Sequence, residues 1–183
     1  MEISLRPISK NDLEMVLNWR NTERVRDCMF NNEIIKMADH LRWFENNKEN
    51  NKCENLIFFY NQEPTGVVNF TNIDTINKKC SWGFYIGKQD SKSGLGTIMG
   101  ILSLDYIFKK DIRKVSAEIL DFNIASKRVH EKLRFIQEGT LINHIFRNGS
   151  YVDVILMCHF KERWLKMKDE LNENFLKEPG KIK

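Results

Sequence analysis

The sequence predicts an α+β domain with a mixed, mostly antiparallel sheet of about seven strands flanked by helices. Three strand-like runs follow one another with only short polar turns between them, which is typical of an antiparallel meander. Two later runs flank Asn148-Gly149, a turn pair that strongly favours a β-hairpin. A glycine loop, a helix and a further strand follow the meander, and a crossover of this kind adds one parallel pairing. The predicted strands are residues 2–6, 56–60, 66–73, 80–86, 115–120, 137–146 and 151–160.

The N-terminal third is expected to place two helices against the sheet. Ser9, with Asp12 three positions later, resembles the capping arrangement at the start of a helix. Residues 25–39 show no sustained period, which indicates a loop or broken helix that could line a pocket. A second helix follows. Its inward-facing residues are expected to be Met37, Leu41 and Phe44.

Two more helices and a C-terminal segment complete the predicted elements. Helical patterns cover residues 97–108 and 124–133, on either side of the fifth strand. We assign residues 1–160 to a single domain and residues 161–183 to a C-terminal helix with a frayed tail. The apolar face of this last helix is expected to consist of Trp164, Met167, Leu171 and Phe175.

Composition limits the class of protein. A chain of 183 residues suits one domain with its own core. The four cysteines form no C-x-x-C pair, so neither a metal site nor a disulfide framework is expected. No apolar run approaches the roughly 20 residues that span a bilayer, and a net charge of +4 does not imply nucleic-acid binding. We therefore expect a cytoplasmic protein that binds neither membranes nor nucleic acid.

The loop at residues 91–97 is the strongest candidate for a ligand site. A strand that feeds a glycine loop at the start of a helix leaves several backbone N–H groups unpaired beside the positive end of the helix dipole. Side chains at Gly94 or Gly96 would hold a phosphate away from these groups. The loop is therefore interpreted as a cradle for a diphosphate, with an ordinary turn as the alternative.

The order of the elements and two motifs resemble the GCN5-related N-acetyltransferase (GNAT) superfamily. Its acetyl-CoA loop is usually written Q/R-x-x-G-x-G/A, and this chain keeps both glycines but has Ser91 at the first position. Residues 123–135 look like the family segment N-x-x-A/S-x-x-L-Y-E-K-L-G-F, with His130 at the usual tyrosine and Arg134 at the usual glycine. The resemblance implies the GNAT acyl-CoA N-acyltransferase fold, with acetyl-CoA as co-substrate and no metal.

The cofactor side of the site follows from this resemblance. The pantetheine arm is expected along the strand that ends near residue 86, with a backbone N–H near Tyr85 facing the thioester oxygen. Helix capping is the alternative role of the two polar residues that begin the second motif. The expected cofactor-binding residues are Phe84, Tyr85, Ile86, Lys92, Ser93, Gly94, Leu95, Gly96, Thr97, Asn123 and Ser126.

Two residues are candidates for the acid–base chemistry of acetyl transfer. His130 is the hypothetical proton donor to the departing thiolate, because it occupies the position of the family's tyrosine. On that hypothesis its replacement by Phe lowers turnover by about 10² or more. Glu118 lies five residues before Asn123, the spacing at which some relatives carry a general base that acts through water. A carboxylate that only binds backbone at the strand end is the alternative for Glu118.

The N-terminal third contains Leu17-Asn18-Trp19-Arg20-Asn21, Val25-Arg26, Met29, His40 and Trp43-Phe44. In these residues it is similar to the nucleotide-sugar N-acetyltransferases of pseudaminic acid biosynthesis. This likeness implies transfer of acetyl to the 4-amino group of a UDP-linked amino-dideoxy sugar, on the route to flagellin glycosylation. Arginine suits the diphosphate and tryptophan suits stacking on a flat ring. The expected acceptor-binding residues are Arg20, Asn21, Arg26, His40, Trp43, Asn69, Thr71 and Trp82.

Two other functions remain open from the sequence. One is an acetyltransferase for another amine, such as a polyamine, an aminoglycoside or a protein N-terminus. The other is a non-catalytic module that binds acyl-CoA. An acidic acceptor pocket would favour a cationic amine, whereas the arginine and histidine candidates favour an anionic substrate. The sequence is also compatible with a homodimer.

Overall fold

The computed structural model describes residues 1–177 and contains one seven-stranded sheet with the strand order β1-β2-β3-β4-β5-β7-β6. The predicted tail beyond residue 177 lies outside the described residues. The strands are β1 (Ile3–Pro7), β2 (Glu54–Tyr60), β3 (Glu63–Asp74), β4 (Lys79–Ile86), β5 (Lys114–Leu120), β6 (Ile136–Arg147) and β7 (Ser150–Phe160). The α-helices are α1 (Leu13–Asn21), α2 (Glu23–Arg26), α3 (Met37–Lys48), α4 (Leu95–Phe108), α5 (Ile124–Lys132) and α6 (Lys161–Asn172).

Strands β4 and β5 form the parallel pair that the crossover through α4 predicts. Their ladder joins Cys80 to Val115 and, within the described residues, ends where Ser81 meets Ser116. β4 continues to Ile86 while paired with β3 on its other side. The two strands therefore splay apart, and the edge of β4 beyond Ser81 faces an opening in the sheet.

The sheet carries apolar side chains on both faces. On one face, residues such as Phe70, Trp82 and Val115 pack with α4, α5 and α6 in the larger core cluster. On the opposite face, Ile57 and Val67 pack against Val16 of α1 in a smaller cluster. Because side chains alternate along a strand, Trp82 and Phe84 of β4 point to the larger cluster while Tyr85 joins the smaller one.

The helices differ from the prediction in detail. The irregular segment after α1 contains the short helix α2 and then an open loop over residues 27–36. In α3 the expected orientation is wrong at its start, since Met37 is exposed and His40 is the buried residue.

The C-terminal helix packs into the core of the sheet. Trp164 and Leu171 of α6 are buried in the larger cluster, and Met167 and Phe175 pack against it. These are the four residues that the helical spacing singled out. A π-helical turn, Glu173–Lys177, continues α6 to the end of the described chain.

Candidate active site

A cavity of about 930 Å³ occupies the opening between β4 and β5. Its wall combines the glycine loop, the free edge of β4, the start of α5, the end of β5 and the segment after α1. The cavity therefore reaches from one face of the sheet to the other through the splay. A ligand that threads the opening can meet groups from both sides.

The glycine loop forms one end of this cavity. Gly94 has φ +91° and caps α4, a left-handed backbone conformation that favours glycine. The first helical hydrogen bonds run from the N–H groups of Thr97 and Ile98 to the Gly94 carbonyl. The N–H groups of Leu95 and Gly96 precede them, and they therefore remain available to an anion.

Most of the predicted cofactor residues border the cavity, as do Lys88 and Ser91. The Ser91 hydroxyl donates to the Lys88 carbonyl at 2.8 Å, so the serine at the family's Gln/Arg position stabilises the turn of the loop. Thr97 is 1% exposed and faces the core. Thr97 and Ser93 are the two predicted cofactor residues that the described cavity wall does not include.

Asn123 and Ser126 both reach the cavity, and their hydrogen bonding shows a capping role. The Asn123 side-chain oxygen accepts from the Ser126 N–H at 3.0 Å, which caps α5. Both residues also belong to the cavity wall. Capping and cofactor binding are therefore compatible at these two positions, and the second role remains a prediction.

His130 is 3% exposed and lies at the cavity wall among aromatic rings. Its Nδ1 lies 2.8 Å from the Ser126 carbonyl one turn earlier in α5. Because a carbonyl only accepts, Nδ1 must carry the proton, and Nε2 of the neutral ring then holds a lone pair. Burial lowers the pKa of His130 to about 4, so the ring is neutral at physiological pH.

Glu118 borders the cavity from β5, on the opposite face of the sheet from His130. Its neighbours Ala117 and Ile119 point into the larger core cluster, and the alternation of the strand turns Glu118 the other way. The carboxylate is exposed to solvent. It is therefore accessible to an amine that enters from the α1 side.

The predicted acceptor residues divide into two groups. Asn69, Thr71 and Trp82 border the cavity. The rest do not belong to its described wall: Arg20, Asn21, Arg26, His40 and Trp43.

The residues of this second group contact the segment after α1 or the helices themselves. The Arg20 guanidinium donates to the Asn31 carbonyl at 2.7 Å, and Asn21 exchanges two hydrogen bonds of 2.8 Å with the backbone of Ile35. His40 is buried and stacks on Trp43 with ring centroids 5.1 Å apart. Burial also lowers the pKa of His40.

The end of the cavity formed by Arg24, Cys28, Met29 and Phe30 is called here the acceptor end. Met29 and Phe30 belong to the aperiodic segment that was expected to line a pocket, whereas Arg24 and Cys28 were not identified from the sequence. The only sequence feature that pointed to this part of the cavity wall was the aperiodic stretch over residues 25–39. Its conformation depends on a distant residue, since Arg147 at the end of β6 donates to the Met29 carbonyl at 2.8 Å. Such a contact has no local sequence pattern, so the sequence could not predict which of these side chains face the cavity.

Two further findings concern residues 1–177. No helix in this part of the chain is long and apolar enough to cross a membrane. No group of three or more His, Cys, Asp and Glu side chains there is arranged to hold a metal ion.

Comparison with known proteins gives matches across most of the chain. The profile of the acetyltransferase (GNAT) domain matches residues 2–136. Spermidine N(1)-acetyltransferase of Escherichia coli (strain K12) is 23% identical over 176 residues, which cover 96% of this chain and 95% of the relative. Acetyltransferase PseH of Campylobacter jejuni (strain 81-176) is 22% identical over 129 residues, or 70% of this chain and 79% of the relative.

A solved structure shares the fold. The crystal structure of spermidine N-acetyltransferase from Vibrio cholerae, in complex with CoA and spermine, superposes with a TM-score of 0.84 at 21% identity. The superposition covers 89% of this chain and 98% of the other. The α+β fold expected from the sequence is confirmed.

The profile match extends over strands β1 to β5, which include the splayed pair, and over the glycine loop at the cavity. The chain therefore belongs to the GNAT acetyltransferase family, and it is an acetyl-CoA-dependent N-acetyltransferase.

Proposed function

We propose that the acceptor is the 4-amino group of a UDP-linked amino-dideoxy sugar, acetylated as in pseudaminic acid biosynthesis for flagellin glycosylation. The positive charge around the acceptor end of the cavity carries this proposal. Arg24 borders the cavity there. Arg20 lies close enough to the cavity residue Tyr85 to lower its pKa, although burial raises that pKa more.

The balance of charge favours an anionic acceptor. Within the described cavity wall the carboxylates are Asp90 and Glu118, and Asp90 belongs to the cofactor loop. This leaves Glu118 as the acidic side chain at the acceptor end. A guanidinium forms strong charge-assisted hydrogen bonds with a diphosphate, whereas it repels a polyamine.

The predicted roles of the site residues fit acetyl transfer. Placing an amine beside a thioester in one cavity corresponds to an effective molarity of roughly 10⁵ to 10⁸ M. Glu118 would take the proton of the attacking amine through water, and an N–H near Tyr85 would bind the thioester oxygen. Asn69 and Thr71, on the same face of the sheet, would bind the sugar.

A polyamine is the second candidate acceptor. Two observations favour it: the spermidine acetyltransferase relative aligns over more of the chain than PseH does, and Glu118 could pair with a cationic amine. The arginines near the acceptor end argue against it.

We also propose that the enzyme acts in the cytoplasm and self-associates. A dodecameric structure exists for spermidine N-acetyltransferase from Vibrio cholerae. For this chain the smallest such assembly would be a homodimer.

Mass spectrometry of the products can decide between the two acceptors. The enzyme is incubated with acetyl-CoA and, separately, with UDP-4-amino-dideoxy sugars, spermidine and spermine. We expect acetylation of a UDP-amino sugar at the 4-amino group, with little reaction of either polyamine. Efficient acetylation of spermidine and none of the nucleotide sugars would refute the proposal.

Arg24→Gln provides a second measurement on the same assay. Loss of a hydrogen bond to a charged group costs about 1.5–3 kcal/mol, so the KM for the UDP-amino sugar should rise roughly 10- to 100-fold. The KM for acetyl-CoA should change much less. Arg42→Gln is the matched control, because Arg42 is exposed on α3 and pairs with Asp39. Equal effects on both substrates would make Arg24 a structural residue.

A further inference from the structure

Two polar atoms at the cavity wall are buried and have no hydrogen-bond partner within residues 1–177. They are Nε2 of His130 and Nε1 of Trp82. Both side chains are more than nine-tenths buried, and both residues border the cavity. The two rings meet edge-on, with centroids 5.5 Å apart at an interplanar angle of 85°.

The helix itself fixes which nitrogen of His130 carries the proton. Nδ1 must donate to the Ser126 carbonyl, because a carbonyl can only accept. This carbonyl lies one turn earlier in α5, so the folded helix always places it beside Nδ1. The proton in the neutral ring is therefore committed to Nδ1. Nε2, on the other edge of the ring, is an acceptor unless the ring takes up a second proton.

The surroundings of His130 disfavour that second proton. The ring packs against Trp82, Phe84 and Phe135, none of which carries a charge. The unpartnered polar atom in this wall is the indole N–H of Trp82, which is a donor only. An apolar wall with no anionic neighbour gives an imidazolium nothing to pair with, so the neutral ring is favoured.

We infer that His130 serves acetyl transfer as a neutral hydrogen-bond acceptor, with its proton held on Nδ1 by the Ser126 carbonyl, and is not the acid that protonates the leaving thiolate. This reverses the role that the position of His130 in the sequence motif suggested. The inference rests on the N-acetyltransferase reaction and is independent of which amine is the acceptor.

The reaction balances without a proton from His130. The amine nitrogen forms a bond to the acetyl carbonyl carbon, and the bond from that carbon to sulfur breaks. The proton that the nitrogen loses is the one that the thiolate gains. Glu118 is the carboxylate at the acceptor end that can carry this proton between the two atoms.

Nitrogen NMR of the full chain tests the inference directly. In ¹⁵N-labelled protein, long-range ¹H–¹⁵N correlations distinguish the Nδ1–H tautomer, the Nε2–H tautomer and the imidazolium. We expect His130 to remain in the Nδ1–H form between pH 5.5 and 8. His159 is an internal reference, because it is also buried with Nδ1 near a backbone carbonyl, that of Phe160 at 3.0 Å. An imidazolium or an Nε2–H signal for His130 at pH 7 would overturn the inference.

Other titratable groups near the cavity must be separated from His130 in this experiment. They are Glu118 of β5, Tyr85 of β4, Lys88, Asp90 and Lys92 before α4, Arg24 of α2 and Cys28 after it. The NMR signal reports His130 alone, whereas a pH–rate profile reports any of these groups. The tautomer measurement is therefore the primary readout.

Kinetics of His130→Phe supply an independent readout. Phe keeps an aromatic ring in the wall and removes both nitrogens. Loss of a general acid lowers kcat by about 10² or more, whereas loss of one neutral acceptor should lower it by less than about tenfold. His159→Phe controls for the loss of a buried imidazole outside the cavity. A fall of 10² or more with unchanged KM for acetyl-CoA would contradict the inference.

Discussion

Arg134 has a left-handed backbone conformation, with φ +62°, at the residue that follows the C-cap of α5. Glycine is preferred at this position of a helix end, because any side chain there costs roughly 1 kcal/mol or more. The Arg134 side chain offers little compensation, since its ion pair with Glu170 spans 3.9 Å between exposed groups. The backbone at Arg134 is therefore strained, and its side-chain contact does not offset the cost.

Arg134→Gly should raise the free energy of unfolding by about 1 kcal/mol. Urea denaturation followed by circular dichroism measures the change. Asn148→Gly is a matched control: Asn148 has φ +50° in the β6–β7 turn, but asparagine tolerates this conformation, so the gain there should be smaller. An Arg134→Gly variant that is no more stable than the parent would show that the backbone at residue 134 is not strained.

At the scale of elements, Trp19 of α1 makes a tight contact with the backbone just after β4. A Cβ atom on Gly87 would lie 2.2 Å from the Trp19 ring, which packs on the Gly87 backbone. Arg24 of α2 donates to the Gly87 carbonyl at 3.1 Å. Gly87, which precedes the cofactor loop, is thus contacted by both α1 and α2.

Gly87→Ala should lower the free energy of unfolding by about 1–3 kcal/mol, the usual cost of forcing an extra atom into a packed contact. Differential scanning calorimetry and the KM for acetyl-CoA are the readouts, and both should worsen because the displaced backbone leads into the loop. Gly139→Ala is the control, since a Cβ there meets nothing within 4 Å. Similar stabilities for the two variants would show that Trp19 moves away at no cost.

The elements with local signals were predictable, and those fixed by distant contacts were not. Asn148 and Gly149 both have positive φ, as the hairpin turn requires, and Gly94 has the left-handed conformation that starts α4. In contrast, the loop after α2 depends on Arg147, which lies 118 residues away from Met29. The cofactor end of the cavity could therefore be predicted from a motif, whereas its acceptor end required the structure.

Considered as a whole, the molecule contains three buried histidines in different layers. His40 lies in α3, His130 in α5 at the cavity, and His159 in β7 within the core. Burial lowers the pKa of each one. None of them is paired with a carboxylate in the described ion pairs. At these histidines the unfolded chain therefore binds more protons than the native protein between the lowered native pKa values and about 6.5, the ordinary histidine value.

This linkage predicts a loss of stability in mild acid. A pKa that is lower in the folded state contributes stability that is fully present above about pH 6.5 and is lost as the pH falls toward the folded value. For His130, with a folded pKa of about 4, the loss between pH 7 and pH 5 should be about 2 kcal/mol. Urea denaturation at the two pH values measures this loss.

His130→Phe, which has no imidazole to titrate, should lose about 2 kcal/mol less than the parent over the same interval. If the parent and the variant lose the same amount, or the parent is equally stable at both pH values, the native protein accommodates a protonated His130, and the neutral imidazole inferred for the active site is ruled out as well.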